Sequence, residues 1–241
     1  MNVVLLSVAE DVSTRHPDLV VAGFAVSGLE AFQGPNDVAG IEAALTEHGI
    51  SDDATSPPIT SIAVIRAWRA AIGACGLKPS AYQGSVEQLL RRAQKERALT
   101  AELPAVAAYC GLSLRYLSPL GGYDVAMLPV PAIELRLARP GDQFTPLFTA
   151  RSLPLSPDVA VYASDRTILT YAFNHRDSAV TGLGATTKQA VFLREALDDE
   201  QRQRLRTALR ELAELMNSAG VATGPVLEAD SRRDVTLAVP V

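Results

Sequence analysis

Short apolar runs ended by polar residues or glycine open the chain, and residues 3–8 and 19–26 read as β-strands. Residues 36–48 begin with cap-type Asn36 and Asp37 and end at Gly49, which predicts a short helix. The polar, turn-rich segment 51–58 reads as a loop. Over residues 62–74, Ile62, Ile65, Trp68 and Ile72 recur at helical spacing and stop before Gly76, a C-terminal cap signal. A second helix follows from SVEQLLRRAQKER, where Ser85 and Gln88 have capping-box spacing and Leu89 and Leu90 supply the buried side. Pro104, at a first helical position, opens the apolar helix PAVAAYCGLSL.

From Ile133 the period changes to two. Ile133, Leu135 and Leu137 alternate with Glu134 and Arg136, the signature of a half-buried strand. Residues 159–163 and 168–173 are further strands joined through Ser164, Asp165 and Arg166. The apolar run AVFLREAL precedes Asp198, Asp199 and Glu200, carboxylates that suit a helix N-terminus through the macrodipole. That helix runs to about Ser218, with Leu205, Leu209, Leu212 and Leu215 on one stripe among arginines, and DVTLAVPV returns to strand. No βαβ rhythm or internal repeat appears, so the pattern predicts an α+β fold rather than a doubly wound one.

The 241 residues are 48% hydrophobic and 20% charged, enough to bury a substantial core. A net charge of -5 provides no general field for nucleic acid, so phosphate contacts need a local basic patch. The RRAQKER face, with Arg91, Arg92, Lys95 and Arg97, is that candidate, set against the ordinary reading of a solvated helix surface. A weaker candidate lies between Arg202 and Arg210. Cys75 and Cys110 form no disulfide or zinc pattern, and the three histidines, His16, His48 and His175, make a multi-histidine metal site improbable. Neither a metal nor a cofactor is expected. The N-terminal run lacks a basic leader, and no apolar run reaches membrane-spanning length; the expectation is a cytoplasmic protein without a membrane or DNA partner.

His175-Arg176-Asp177 spells a kinase tripeptide, but the chain has neither a kinase glycine loop nor D-F-G. The stretch from Gly182 to Lys188 has the wrong spacing for a phosphate loop. His16 reads as solvated and Cys110 as a small packed hydrophobe. In FNHRDSAVTG, four different polar side chains follow an apolar strand; they suit a pocket rim or a salt-bridged turn equally.

The order SVEQLLRRAQKER, LPAVAAYCGLSLRY, PLGGYD, ELRLARPGDQF and VAVYASDRTILTYAFNHRDSAVTGLGATTKQAVFLREA resembles free-standing relatives of the phenylalanyl-tRNA synthetase β-subunit editing domain, over residues 85–196. The resemblance implies a three-layer (β/β/α) sandwich in one unit spanning residues 1–241. Residues 1–58 would form an N-terminal layer and residues 198–241 a C-terminal helix and strand. It implies a tRNA or aminoacyl-tRNA partner and hydrolysis of the ester of mischarged aminoacyl-tRNA; the alternative is a non-catalytic module binding tRNA or an amino-acid-like ligand. Catalytic roles would fall to Asn174, His175 and Asp177, and substrate contacts to Tyr109, Gly121, Gly122, Asp124, Arg176, Gly182, Gly184 and Thr186. Gly121 and Gly122 would let backbone approach the aminoacyl group, while Asp124 would fix the turn or bind the ammonium. Two departures stand out: Ala107 and Cys110 occupy places where the family usually has Asp and Asn, and His175 replaces a tryptophan.

Overall fold

The computed structural model describes residues 3–51, 56–149 and 151–241. Eleven strands and six helices alternate among these residues. Strand β1 (Val3–Val8) leads through a single helical turn, α1 (Glu10–Ser13), to β2 (Val20–Ser27). Helices α2 (Ile41–Glu47), α3 (Ala63–Ala74), α4 (Ser85–Glu96) and α5 (Pro104–Tyr116) follow. Then come β3 (Gly121–Asp124), β4 (Ala132–Leu137), β5 (Ala160–Ser164), β6 (Thr167–Tyr171), β7 (Arg176–Asp177) and β8 (Gln189–Ala196). The long helix α6 (Asp199–Ser218) and strands β9 (Ala222–Thr223), β10 (Leu227–Ala229) and β11 (Val235–Ala238) complete the chain.

One sheet has the order β11-β1-β4-β5-β6-β7, and the other β10-β2-β8-β3 with β9 beside the end of β2. Only β1 and β4 pair in parallel among these strands; the rest are antiparallel. Period-two alternation splits β2 and β8 between two cores. Val21, Ala25, Val191 and Leu193 face the first sheet, while Val20, Phe24, Val26, Ala190 and Phe192 face α6, whose Leu205, Leu209 and Leu212 are fully buried. The result is sheet, sheet and helix in three layers, an α+β fold. No helix among the described residues is long and apolar enough to cross a membrane.

Several local expectations change in this context. The first predicted helix starts only at Ile41, because Asp37 bridges Thr100 and Gly40 takes φ +73° as the preceding residue. Residues 52–55 of the expected loop lie outside the described residues. Arg136, expected on a solvent face, is 2% exposed: it forms a two-pronged pair with Asp142 at 2.7 and 2.8 Å and donates to the Leu137 and Asp165 carbonyls. Leu215 drops out of the buried stripe at 43% exposure, and Met216 takes its place.

Candidate functional site

The capping box expected from Ser85 and Gln88 does not form. Gly84 precedes the helix, and the Ser85 amide is bound instead by both the Oδ1 and the backbone carbonyl of Asn174, each at 3.0 Å. Gln88 turns to the carbonyls of Gln83 (2.7 Å) and His175 (2.9 Å). A distant asparagine thereby does the work of a local serine, and it sets α4 against the turn before β7.

Asn174 also donates from Nδ2 to Glu195 Oε1 at 2.7 Å, and Tyr162 donates to Glu195 Oε2 at 2.5 Å. Burial raises the Glu195 pKa. One residue earlier in β8, Arg194 is 1% exposed and reaches Asp177 Oδ1 through Nη2 at 2.6 Å and the Tyr123 hydroxyl through Nη1. Thr170 donates to the same Asp177 Oδ1 at 2.7 Å, and the Tyr123 hydroxyl bonds both Thr170 and Asp177 Oδ1. All the inward bonds of Asp177 therefore fall on one oxygen. Oδ2 has no partner among the described residues, and the side chain keeps 22% exposure.

That carboxylate lines a cleft of about 400 Å³. Its walls are Leu89 and Arg92 of α4, residues 99–103, Tyr109 and Cys110 of α5, Gly122 of β3, Leu147 and Phe148, and Gly182 with Leu183. Burial holds the Tyr109 phenol well above its usual pKa, with the nearby Cys110 and Asp177 adding to the shift, so it remains a hydrogen-bond donor. Burial likewise pushes the Cys110 thiol up to about 12, which leaves it neutral and poorly nucleophilic. Among the described residues, no cluster of three or more His, Cys, Asp or Glu side chains could hold a metal ion.

Comparison with known families places this cleft in context. Residues 67–219 match the B3/4 domain, well over half of the chain. The chain belongs to the B3/4 domain family. Among solved structures it is similar to an N-terminal fragment of the phenylalanyl-tRNA synthetase β-subunit from Pyrococcus horikoshii, at 13% identity and a TM-score of 0.49. That similarity covers 97% of this chain and 54% of the fragment, so the chain spans about half of the fragment's length. No curated protein matches the chain.

Within this B3/4 fold, the expected site residues separate into groups. Tyr109, Gly122, Asp177, Gly182 and Arg92 meet at the cleft. Gly121 lies under the Arg194 guanidinium, where a methyl group would come within 2.6 Å of Nη1 and nearer still to Nη2 and Cζ. Asp124 fixes the turn: Oδ1 accepts from the Ala126 amide at 2.9 Å and Oδ2 from Thr187 at 2.7 Å. Gly184 and Thr186 border neighbouring depressions, and Arg176 is exposed on β7. Asn174 is 2% exposed in its capping role, and His175 Nδ1 lies 2.7 Å from the Gln83 carbonyl, which makes that nitrogen the donor.

The basic face of α4 is largely paired. Arg91 and Arg69 share Glu87, Arg92 meets Glu96 at 3.3 Å and Arg97 meets Glu42 at 3.3 Å, while Lys95 is exposed. Arginines of the second basic candidate are also engaged, Arg202 and Arg206 with Glu228 and Arg204 with Glu200. Sequence reasoning missed Arg194, Glu195 and Thr170 as site-building residues. The available signal was an adjacent Arg-Glu pair inside the otherwise apolar strand AVFLREAL, since unpaired charges are excluded from such a strand.

His16, expected in solvent, is half-buried and packs edge-on against Phe173 at 5.3 Å. Burial lowers the pKa of both His16 and His175 below 6.5; adjacent arginines add to this, and the bond to Gln83 opposes it at His175. The stability supplied by the neutral rings is complete above 6.5 and is lost as pH falls through their lower folded-state values. Glu195 acts in the opposite sense, because its raised pKa favours the fold at low pH. On acidification from about pH 7 to about pH 5, the wild type is expected to lose more Tm than a His16→Gln/His175→Gln variant. Parallel melting curves across that range would refute the assignment.

Proposed function

We propose that the cleft takes the aminoacyl end of a charged tRNA and hydrolyses its ester. The observation that carries this reading is the division of labour at Asp177, with one oxygen bound inward and the other left for a ligand beside the Tyr109 phenol. An α-ammonium group matches the open Oδ2, the ester carbonyl matches the Tyr109 hydroxyl, and the amino-acid side chain lies against Leu89, Leu99, Val106 and Leu147. The motif resemblance to the synthetase editing domain supports the same assignment.

An aminoacyl ester is already reactive, so placement of water and stabilisation of the oxyanion suffice. Water oxygen bonds to the carbonyl carbon, the carbon–ribose oxygen bond breaks, and the departing ribose oxygen takes a proton, with the neighbouring ribose hydroxyl as carrier. In this reading Asn174 and His175 act by position, holding α4 and the β7 turn rather than touching the ester. Their engagement in framework bonds also favours a second reading, a binding module without turnover.

The test is amino-acid release from a panel of correctly and wrongly charged tRNAs, with Asp177→Asn and Tyr109→Phe alongside. We expect selective release from a mischarged species, with kcat/KM reduced about 10- to 100-fold by Asp177→Asn, as loss of a charged hydrogen bond implies. Saturable binding with no release from any member would establish the second reading instead.

A further inference from the structure

Phe148 is 90% exposed and has φ +65°. It occupies the third position of a turn closed by the Thr149 amide on the Pro146 carbonyl at 3.2 Å, and the Thr149 hydroxyl bonds the same carbonyl at 3.1 Å. A positive φ at that position suits glycine, which adopts it without steric cost. Folding alone therefore favours glycine here, both for the backbone and because a phenyl ring in water gains no burial. The turn is nevertheless firmly placed. The Leu147 amide donates to the Asp177 carbonyl at 2.9 Å and the Ala179 amide to the Thr145 carbonyl at 2.8 Å, so the backbone that carries Phe148 is tied to the strand that carries the site carboxylate.

Phe148 lines the cleft together with Arg92. Arg92 keeps 56% side-chain exposure, and its partner Glu96 is a solvated surface acid at 3.3 Å, a pair weak enough to yield to a better anion. An exposed aromatic face and an exposed guanidinium on the walls of one cleft are the combination that binds an unpaired nucleobase and its phosphate. An ester-linked amino acid in the cleft leaves its ribose at the mouth and its base one sugar beyond.

We propose that Phe148 is a stacking platform for the terminal nucleobase of the RNA that carries the aminoacyl group, with Arg92 contacting the adjoining phosphate. The inference rests on the reading that the cleft takes the aminoacyl end of an RNA, and it adds the recognition of the nucleoside.

The test uses the full chain and an uncharged tRNA minihelix ending in single-stranded CCA, compared with the same minihelix lacking the terminal adenosine. Phe148→Gly is expected to weaken binding of the CCA minihelix roughly 10- to 100-fold, the loss of one base–aromatic stack. Its Tm should equal or exceed that of the wild type, because glycine relieves the positive φ. Phe148→Trp should keep the affinity and show quenching by the CCA minihelix but not by the shortened one. The only other tryptophan, Trp68, is 2% exposed and contributes a constant background. Wild-type affinity in Phe148→Gly, equal quenching by both minihelices, or no binding of the CCA minihelix to the wild type would each overturn the proposal. Phe148-dependent binding without amino-acid release from any charged tRNA would uphold the stacking platform and remove ester hydrolysis. Amino-acid release that proceeds equally well in Phe148→Gly would do the reverse.

Discussion

Asp177→Ala is expected to cost about 3–5 kcal/mol of folding stability, the range found when one member of a buried ion pair is removed. The loss comes from what stays behind. Arg194 is 1% exposed, and Asp177 supplies its one carboxylate contact among the described residues. Thr170 and Tyr123 lose the same acceptor. A charge stranded in a low-dielectric interior costs more than the pair contributes, so Asp177→Ala/Arg194→Met should recover part of the stability lost in the single variant. Urea unfolding of the two single variants and the double variant measures this coupling. A loss below about 1 kcal/mol for Asp177→Ala would mean that water reaches the guanidinium and solvates it.

Gly121→Ala should have the second largest effect, about 3 kcal/mol or more, although it adds a single methyl group. Gly121 is extended, so backbone strain is not the reason. The new Cβ would occupy the space of the Arg194 guanidinium, and that group is pinned by Asp177 and Tyr123 rather than free to swing away. To accommodate the methyl, Arg194 must leave its partners or β3 must move off β8, where Gly121 pairs with Leu193. Thermal and urea unfolding of Gly121→Ala, alone and with Arg194→Met, separates these responses. Equal cost in both backgrounds would show that β3–β8 packing requires the glycine. A cost that shrinks with Arg194→Met would show that the guanidinium requires it.

The paired glycines of PLGGYD thus have a different division of work from the one their sequence suggests. Gly122 lines the cleft, and a methyl there would fall 2.8 Å from both Leu183 and Phe192. Gly121 makes room for a protein side chain. Asp124, for which both a turn-fixing and a ligand-binding role were open, spends one oxygen on the Ala126 amide of its own turn and the other on the Thr187 hydroxyl of the segment before β8.

What the sequence determined by itself was most of what short-range periodicity and local end signals encode, the end signals at Asn36 and Ser85 excepted. The capped helix from Asp199 with Leu205, Leu209 and Leu212 buried, the Pro104 helix, the alternation of β4 and the β5–β6 hairpin all follow from neighbours a few residues apart. The ordered motifs also brought Tyr109, Gly122, Asp177 and Gly182 forward before any contact among them was visible.

Only the tertiary structure decided how polar groups were satisfied. Asn174 caps α4 from 89 residues away, Arg136 is enclosed by Asp142 and two carbonyls, and Arg194 makes Asp177 a half-bound carboxylate. Apolar burial is written in periodic patterns because any apolar neighbour satisfies it. A buried polar group instead requires one partner at one distance and angle, and the fold can bring that partner from anywhere along the chain.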